Sequence, residues 1–334
     1  MNYLSVCSGI EAATVAWHSL GWRPLAFSEI EAFPSSVLAH HYPNVPNFGD
    51  MTKFKDWTFD EPLDLLVGGT PCQSFSVAGL RKGLEDPRGN LALVYCGILD
   101  KFKPKWFIWE NVPGVLSSSG GRDFGAFLGA VAQLGYGFAY RVLDAQYFGV
   151  AQRRRRVFVV GCLGDWRSAA EVLFERHSLS GDSAPRRGKG EKIAPTVTIG
   201  PPFSRTGNSR VECDAIVTQP YDVAPCLAKT DQQGVVAPIA WSEELTPTVD
   251  CASTMQRGGQ VGRHEGVMTS DMQVRRLTPT ECERLQGFPD GYTNVPHRGK
   301  PAADGPRYKA LGNSMAVPCM RWIGERIALQ EMLS

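Results

Sequence analysis

The sharpest chemical signal in the chain is Gly68-Gly69-Thr70-Pro71-Cys72-Gln73-Ser74-Phe75-Ser76, a cysteine delivered at the end of a short apolar run by a glycine-rich turn. Such a placement exposes a thiol in a cleft, where its thiolate can act as a nucleophile. The segment Val77 to Asn90 that follows is polar and Gly-rich and carries Arg81, Lys82 and Arg88, the composition of a loop that closes over an anionic substrate. A second apolar run, Trp106-Phe107-Ile108-Trp109, ends on Glu110-Asn111-Val112-Pro113. A carboxyl group there is partly desolvated and biased toward its protonated form, so it can serve as an acid beside a thiolate. Taken singly, each residue has a plainer reading, an inert buried thiol and a solvated strand-end carboxylate. The pair is what signals chemistry.

Four arginines, Arg153 to Arg156, precede the run Val157-Phe158-Val159-Val160. Alternate side chains of a strand point to opposite faces, so Arg154 and Arg156 share one face. Their forked guanidiniums match phosphate or a pyrimidine carbonyl, although a solvated basic surface is the commoner use of such a run. Near the N-terminus, Ser8-Gly9-Ile10-Glu11-Ala12 joins a strand to a helix but keeps one glycine where a pyrophosphate-binding turn needs three, and Glu11 would repel a phosphate. A cofactor without phosphate fits better. Glu29, at the end of the second strand, is placed to accept from both hydroxyls of a ribose.

The elements that position these residues follow from periodicity. Strands are expected at Tyr3 to Cys7, Pro24 to Ser28, Leu63 to Val67 and Trp106 to Trp109, and helices where Ala12, Val15 and Ala16, and later Leu91, Val94, Tyr95, Ile98 and Leu99, form one face. Strands alternating with helices predict an α/β fold, a parallel Rossmann-like, doubly wound sheet whose ligands sit at the carboxyl ends of the strands. Beyond about Trp166, Gly, Pro, Thr and Ser become frequent and helical periodicity fades, which predicts a smaller β-rich module. Within it, Ile193 to Val197, Val223 to Leu227 and Leu245 to Val249 form a weak repeat with a central Pro, suited to edge strands or strand starts. Helical grammar returns at Thr278-Pro279-Thr280-Glu281, an N-cap with Pro at N1 and a capping-box Glu.

Composition narrows the class without naming it. The 334 residues are 43% hydrophobic and 21% charged, and 35 Lys+Arg against 34 Asp+Glu give a net charge of +1, so affinity for nucleic acid must come from local patches. Nine cysteines with neither Cys-x-x-Cys nor zinc spacing argue against a disulfide scaffold and a metal ribbon alike. No basic leader precedes Glu11 and no apolar run approaches the ~20 residues of a membrane helix, so a soluble, cytoplasmic protein is expected.

Seven ordered blocks now combine: Cys7-Ser8-Gly9, Phe27-Ser28-Glu29-Ile30, Gly49-Asp50-Met51-Thr52, Pro71-Cys72-Gln73, Glu110-Asn111-Val112, Gln152 to Arg156, and Leu311-Gly312-Asn313-Ser314. In this order they resemble the DNA (cytosine-5-)-methyltransferase family, and Arg276 to Pro289 resembles the block that follows that family's target-recognition region. The resemblance implies a class I methyltransferase fold with a catalytic domain over 1–164, a target-recognition domain over 165–274 and a C-terminal return over 275–334 that completes the catalytic domain. It implies that Cys72 adds to carbon 6 of a flipped-out cytosine while Glu110 donates to ring nitrogen 3, with Arg156 on the cytosine carbonyl and Arg154 ordering the thiol and a nearby phosphate. The implied cofactor is S-adenosyl-L-methionine, with no metal. Ser8, Gly9 and Ile10 are its backbone contacts, Glu29 takes its ribose, Ile30 a face of its adenine, Asp50 the adenine amino group and Asn313 the methionine end; Met51, Gly69, Pro71 and Ser314 complete the set. Gln73, Ser76, Arg81 and Arg88 are the implied contacts to double-stranded DNA. The implied enzyme works as a monomer on the DNA of a bacterial or phage-infected cell, where a cognate restriction endonuclease is a candidate partner. Two departures stand out. Cys7 replaces a Phe that stacks on adenine, and Glu11 and Ala12 replace the family's glycines, which points to weaker cofactor affinity. Rival readings are methylation of cytosine in transfer RNA, a catalytically silent DNA-binding relative and a dinucleotide oxidoreductase; the missing glycines weigh against the last.

Overall fold

The computed structural model describes residues 1–71, 91–174, 235–240, 248–249, 265–269 and 274–333. All of these belong to one compact unit, Met1–Phe174 with Val223–Ser334; the second unit, Glu175–Asp222, lies wholly outside the described residues. Six strands, β1 (Asn2–Val6), β2 (Arg23–Ser28), β3 (Leu65–Gly68), β4 (Trp106–Asn111), β5 (Tyr136–Asp144) and β6 (Arg155–Leu163), form one sheet in the order β2-β1-β3-β4-β6-β5. β1 pairs in parallel with β2 and β3, and β3 with β4. β6 is antiparallel to both of its neighbours, β4 and β5. The sheet is therefore mixed, not wholly parallel as the alternation of strands and helices predicts. The connection from β5 to β6 spans only 145–154, shorter than the dozen or so residues a parallel crossover takes, so β6 folds back as a hairpin and fills the gap beside β4.

Both faces of this sheet are covered, which is why its central strands read as unbroken apolar runs. One face carries Tyr3, Leu65, Val67, Trp106, Ile108, Phe158 and Val160 against helices α1 (Ala12–Trp17), α5 (Trp166–Leu173) and α8 (Val317–Leu333). The other carries Leu4, Val6, Leu66, Phe107, Trp109, Val157 and Val159 against α3 (Leu91–Phe102) and α4 (Arg122–Gln133). Strict alternation along each strand divides the two cores, and each fully buried side chain of this size contributes about 1.5–3 kcal/mol. Trp17 joins the ends of the chain: its indole nitrogen donates to the Met320 carbonyl of α8 at 2.7 Å, and its ring meets Tyr3 edge-on at 5.1 Å. The first helical stripe stops at Gly21, which takes a φ of 67° after a single 3₁₀ turn.

Helix α5 overturns the expectation that helical order fades at Trp166. Asp165 caps it by accepting from the Arg167 amide at 2.8 Å and the Ser168 hydroxyl at 2.6 Å, and Ala169, Val172 and Leu173 are fully buried against the sheet. Arg326 of α8 donates to the carbonyls of Glu171, Val172 and Phe174, so the elements packed on the six-stranded sheet run on to Phe174. Further along, β7 (Val235–Ala240), β8 (Thr248–Val249), β9 (Glu265–Thr269) and β10 (Val274–Arg276) form an antiparallel sheet in the order β10-β9-β7-β8, in keeping with the β-rich composition. β8 is the end of the third Pro-containing repeat and lies at a sheet edge; the first two repeats are outside the described residues. The return then forms α6 (Pro279–Gln286) with the complete capping box of Thr278 and Glu281, followed by α7 (Asp304–Asn313) and α8.

Candidate active site

The reversal of β6 brings the arginines to the chemistry. In a parallel strand the residues preceding Val157 would lie at the edge opposite Glu110; antiparallel pairing sets Glu110 across from Phe158, with Arg156 two residues farther on the same face. The alternation predicted for the run holds: Arg153 and Arg155 are exposed, while Arg154 is 2% exposed and Arg156 is mostly covered. Arg156 Nε lies 3.0 Å from Glu110 Oε1. Arg154 donates to the carbonyls of Gly312 at 3.1 Å and Ser314 at 2.5 Å, tying the start of β6 to the C-terminal return. Burial pushes the Glu110 carboxyl above the ordinary carboxylate range, and Arg156 and Arg154 oppose that shift.

The turn after β3 is fitted to this acid. A Cβ on Gly68 would stand 2.5 Å from the Val6 carbonyl oxygen, and one on Gly69 would stand 2.8 Å from Glu110 Oε2, so the glycines permit the close approach of β1 and of the carboxylate. Thr70 is buried, its hydroxyl accepts from the Trp109 indole at 3.0 Å and its carbonyl from the Asn111 amide at 3.0 Å. Pro71 is exposed at the end of this anchored turn. Cys72, Gln73, Ser76, Arg81 and Arg88 lie outside the described residues.

A single cleft joins Ser8, Gly9, Gly69, Glu110, Asn313 and Ser314 of the expected set. Ser5, Cys7, Glu11 and Met315 line it too. Glu29 stands at its β2 side, where Oε2 accepts from the Gly9 amide at 2.8 Å and Oε1 from the Glu31 amide at 2.7 Å; burial raises its carboxyl above the usual range. Ile30 is 74% exposed, an apolar side chain left open beside this carboxylate. Asp50 is exposed and caps the following 3₁₀ turn through Thr52, with one carboxylate oxygen engaged at 2.9 Å. Met51 is buried, with its sulfur 3.5 Å from that of Cys7. Ile10 points into the core and its carbonyl accepts from the Tyr292 hydroxyl at 2.9 Å. Burial and the nearby Glu29 push the Cys7 thiol up to about 12, so it stays protonated at neutral pH.

Sequence reasoning undervalued Glu11, read only as a misplaced charge. The structure places it in left-handed backbone, φ 65°, as the N-cap of α1, accepting from the Thr14 amide. The spacing of an acidic residue three before Thr14 at a helix start was the available signal.

A sheet of this order, with one reversed strand and a ligand-sized set of polar groups at its carboxyl edge, defines a class I methyltransferase fold. The chain belongs to the C-5 cytosine-specific DNA methylase family, whose profile it matches over residues 1–199 and 203–329. It is 37% identical to the DNA N-6-adenine-methyltransferase of Escherichia phage P1 over 97% of this chain, and spans 61% of that protein's length. It is 28% identical to the type II methyltransferase M.HpaII of Haemophilus parainfluenzae, over 98% of this chain and 88% of the relative. Among solved structures, the Dnmt2 methyltransferase of S. pombe superposes with a TM-score of 0.63 at 19% identity, covering 100% of this chain and 99% of that one, a likeness of fold. No helix among the described residues is long and apolar enough to cross a membrane.

Proposed function

We propose that the chain transfers a methyl group from S-adenosyl-L-methionine to carbon 5 of a cytosine extruded from duplex DNA, through a transient bond between Cys72 Sγ and carbon 6 of the ring. The observation that carries this reading is Glu110, buried at the end of β4, paired with Arg156 and seated against the Gly69-Thr70-Pro71 turn that leads directly into Cys72. A thiolate adding to carbon 6 pushes electrons onto the ring, and a neutral Glu110 donating to nitrogen 3 accepts that charge at the ring's far side. Arg156 would steady Glu110 and hold the cytosine carbonyl. Carbon 5 becomes nucleophilic and takes the methyl group; its proton then passes to solvent water as the thiolate of Cys72 is expelled and nitrogen 3 returns its proton to Glu110.

The residues of the cleft, with Glu29, Ile30 and Asp50 from the turns after β2 and before the 3₁₀ turn at Met51, fit the cofactor. Glu29, already oriented by two backbone amides, would take the ribose hydroxyls, exposed Ile30 would cover the adenine, Asp50 would accept from the adenine amino group, and Asn313 with Ser314 would hold the amino-acid end. When bound, it supplies an electrophilic methyl on a sulfonium centre. Gln73, Ser76, Arg81 and Arg88 would contact DNA, and the target-recognition module within 165–274 would read the sequence, as a monomer because one base is extruded at a time. The phage P1 relative carries an adenine name, but an exocyclic amine has its own lone pair and needs no covalent activation of the ring, which would leave the buried acid beside the cysteine turn without a task. Bisulfite sequencing of DNA from cells expressing the chain tests the proposal. Cytosines within one short sequence should resist conversion and become convertible with Cys72→Ala; complete conversion in cells making the wild-type chain would refute it.

A further inference from the structure

Glu11 is a second carboxylate in the cleft, and the chemistry above leaves it without a task. It is 1% exposed, yet it lines the cleft together with Ser8, Gly9, Asn313 and Ser314. Its Oε1 accepts from the Thr14 amide at 3.2 Å and the Thr14 hydroxyl at 3.0 Å, and its Oε2 from the Ser5 hydroxyl at 2.7 Å. All three donors are neutral. Among the described residues, no lysine, arginine or histidine forms an ion pair with it, in contrast to Glu110 and Glu283, which each hold an arginine. The titratable groups that face it are the hydroxyls of Tyr3 on β1, Tyr42 after α2 (Ala32–His41) and Tyr292 beyond α6, all raised above their ordinary range and so neutral near pH 7. A buried carboxylate ringed by neutral groups lacks the counter-charge that normally accompanies such burial. Burial pushes its carboxyl up to about 7.

The cofactor assigned to this cleft brings a cation of its own. Its amino-acid end carries an α-ammonium, and that end is the part assigned to Asn313 and Ser314, which share the cleft wall with Glu11. We propose that Glu11 is the subsite for this α-ammonium, a specificity contact supplied from the turn between β1 and α1. This inference rests on the reading of the cleft as a cofactor site. It also turns the replacement of a family glycine into a gain of charge complementarity, against the sequence-based expectation of weaker affinity.

Two ligands separate the contact from a purely structural role: S-adenosylhomocysteine, which carries the ammonium, and 5′-methylthioadenosine, which keeps the adenosine and thioether but lacks the amino-acid end. In calorimetric titrations, Glu11→Gln should weaken S-adenosylhomocysteine about tenfold or more and 5′-methylthioadenosine less than about twofold, since a charge-assisted hydrogen bond is lost for one ligand only. Equal losses for both would reduce Glu11 to a support of the turn and overturn the proposal, as would no loss for either. The wild-type protein gives a second measurement that no folding defect can obscure. Its preference for S-adenosylhomocysteine over 5′-methylthioadenosine should rise by about tenfold from about pH 6 to about pH 8 as Glu11 ionises while the ammonium stays protonated. Glu29 would serve the ribose of both ligands and so cancels from this ratio. A preference that does not change with pH contradicts the proposal, whereas wild-type protein that binds neither ligand overturns the cofactor reading beneath it.

Discussion

A carboxylate and a guanidinium 3.0 Å apart, both largely covered, form the core of the proposed chemistry, and each side chain sets the other's behaviour. Without Arg156, Glu110 would keep the burial that raises its carboxyl and lose its largest opposing charge. The carboxyl would then stay protonated but lose the partner that orients it, and the cytosine carbonyl its proposed donor, so Arg156→Ala should lower turnover by about a hundredfold or more while weakening DNA binding by less than about tenfold, as measured by single-turnover kinetics and titration of a fluorescent duplex. Equal losses would make Arg156 a phosphate clamp. Gly69→Ala probes the same acid from the other side: a Cβ 2.8 Å from Glu110 Oε2 must displace the carboxyl, and a loss of about tenfold or more in turnover is expected with the fold retained by circular dichroism. The acid, its strand-end position and the face shared by Arg154 and Arg156 were legible in the sequence because they follow from a local period of two. Glu11 was legible as a helix cap but not as a wall of the cleft, since that depends on a left-handed backbone and on Ser5 and Thr14 closing around it.

At the scale of elements, apolar runs revealed five of the six strands of the main sheet, missing β5 whose residues are only partly buried, and not which way each runs, because alternation carries no direction. The reversal of β6 came from the brevity of the 145–154 connection, a feature of spacing that outweighed the βαβ pattern. Helix α5 escaped notice for a different reason. It is short, and its Asp165 cap and its Ala169-Ala170 pair are weak signals until the sheet and α8 supply something to bury them against. The capping box of α6 was readable in full because every partner lies within four consecutive residues. Thr278→Ala removes the side-chain acceptor for the Glu281 amide and should lower stability by about 1 kcal/mol, read as a shift of the urea midpoint at unchanged slope.

For the whole molecule, two stretches of chain, 1–174 and 223–334, form one compact unit, with Arg154 holding the return at Gly312 and Ser314 and Arg326 holding α5. The proposed reading module lies in sequence between α5 and α6, and composition alone signalled its β-rich character without identifying a single base contact. Exchange of 175–273 for the matching segment of a relative, which leaves α5 and α6 intact, should move methylation to the relative's target sequence by bisulfite mapping; an unchanged target would take sequence reading away from this segment. The claim on which the account depends is the bond between Cys72 and the pyrimidine. Incubation with S-adenosyl-L-methionine and duplex DNA carrying 5-fluorocytosine at the mapped target, where the fluorine cannot leave as the proton does, should trap a denaturant-resistant protein–DNA adduct that Cys72→Ser abolishes. An adduct that survives that substitution, or no adduct from an active wild-type enzyme, would contradict it.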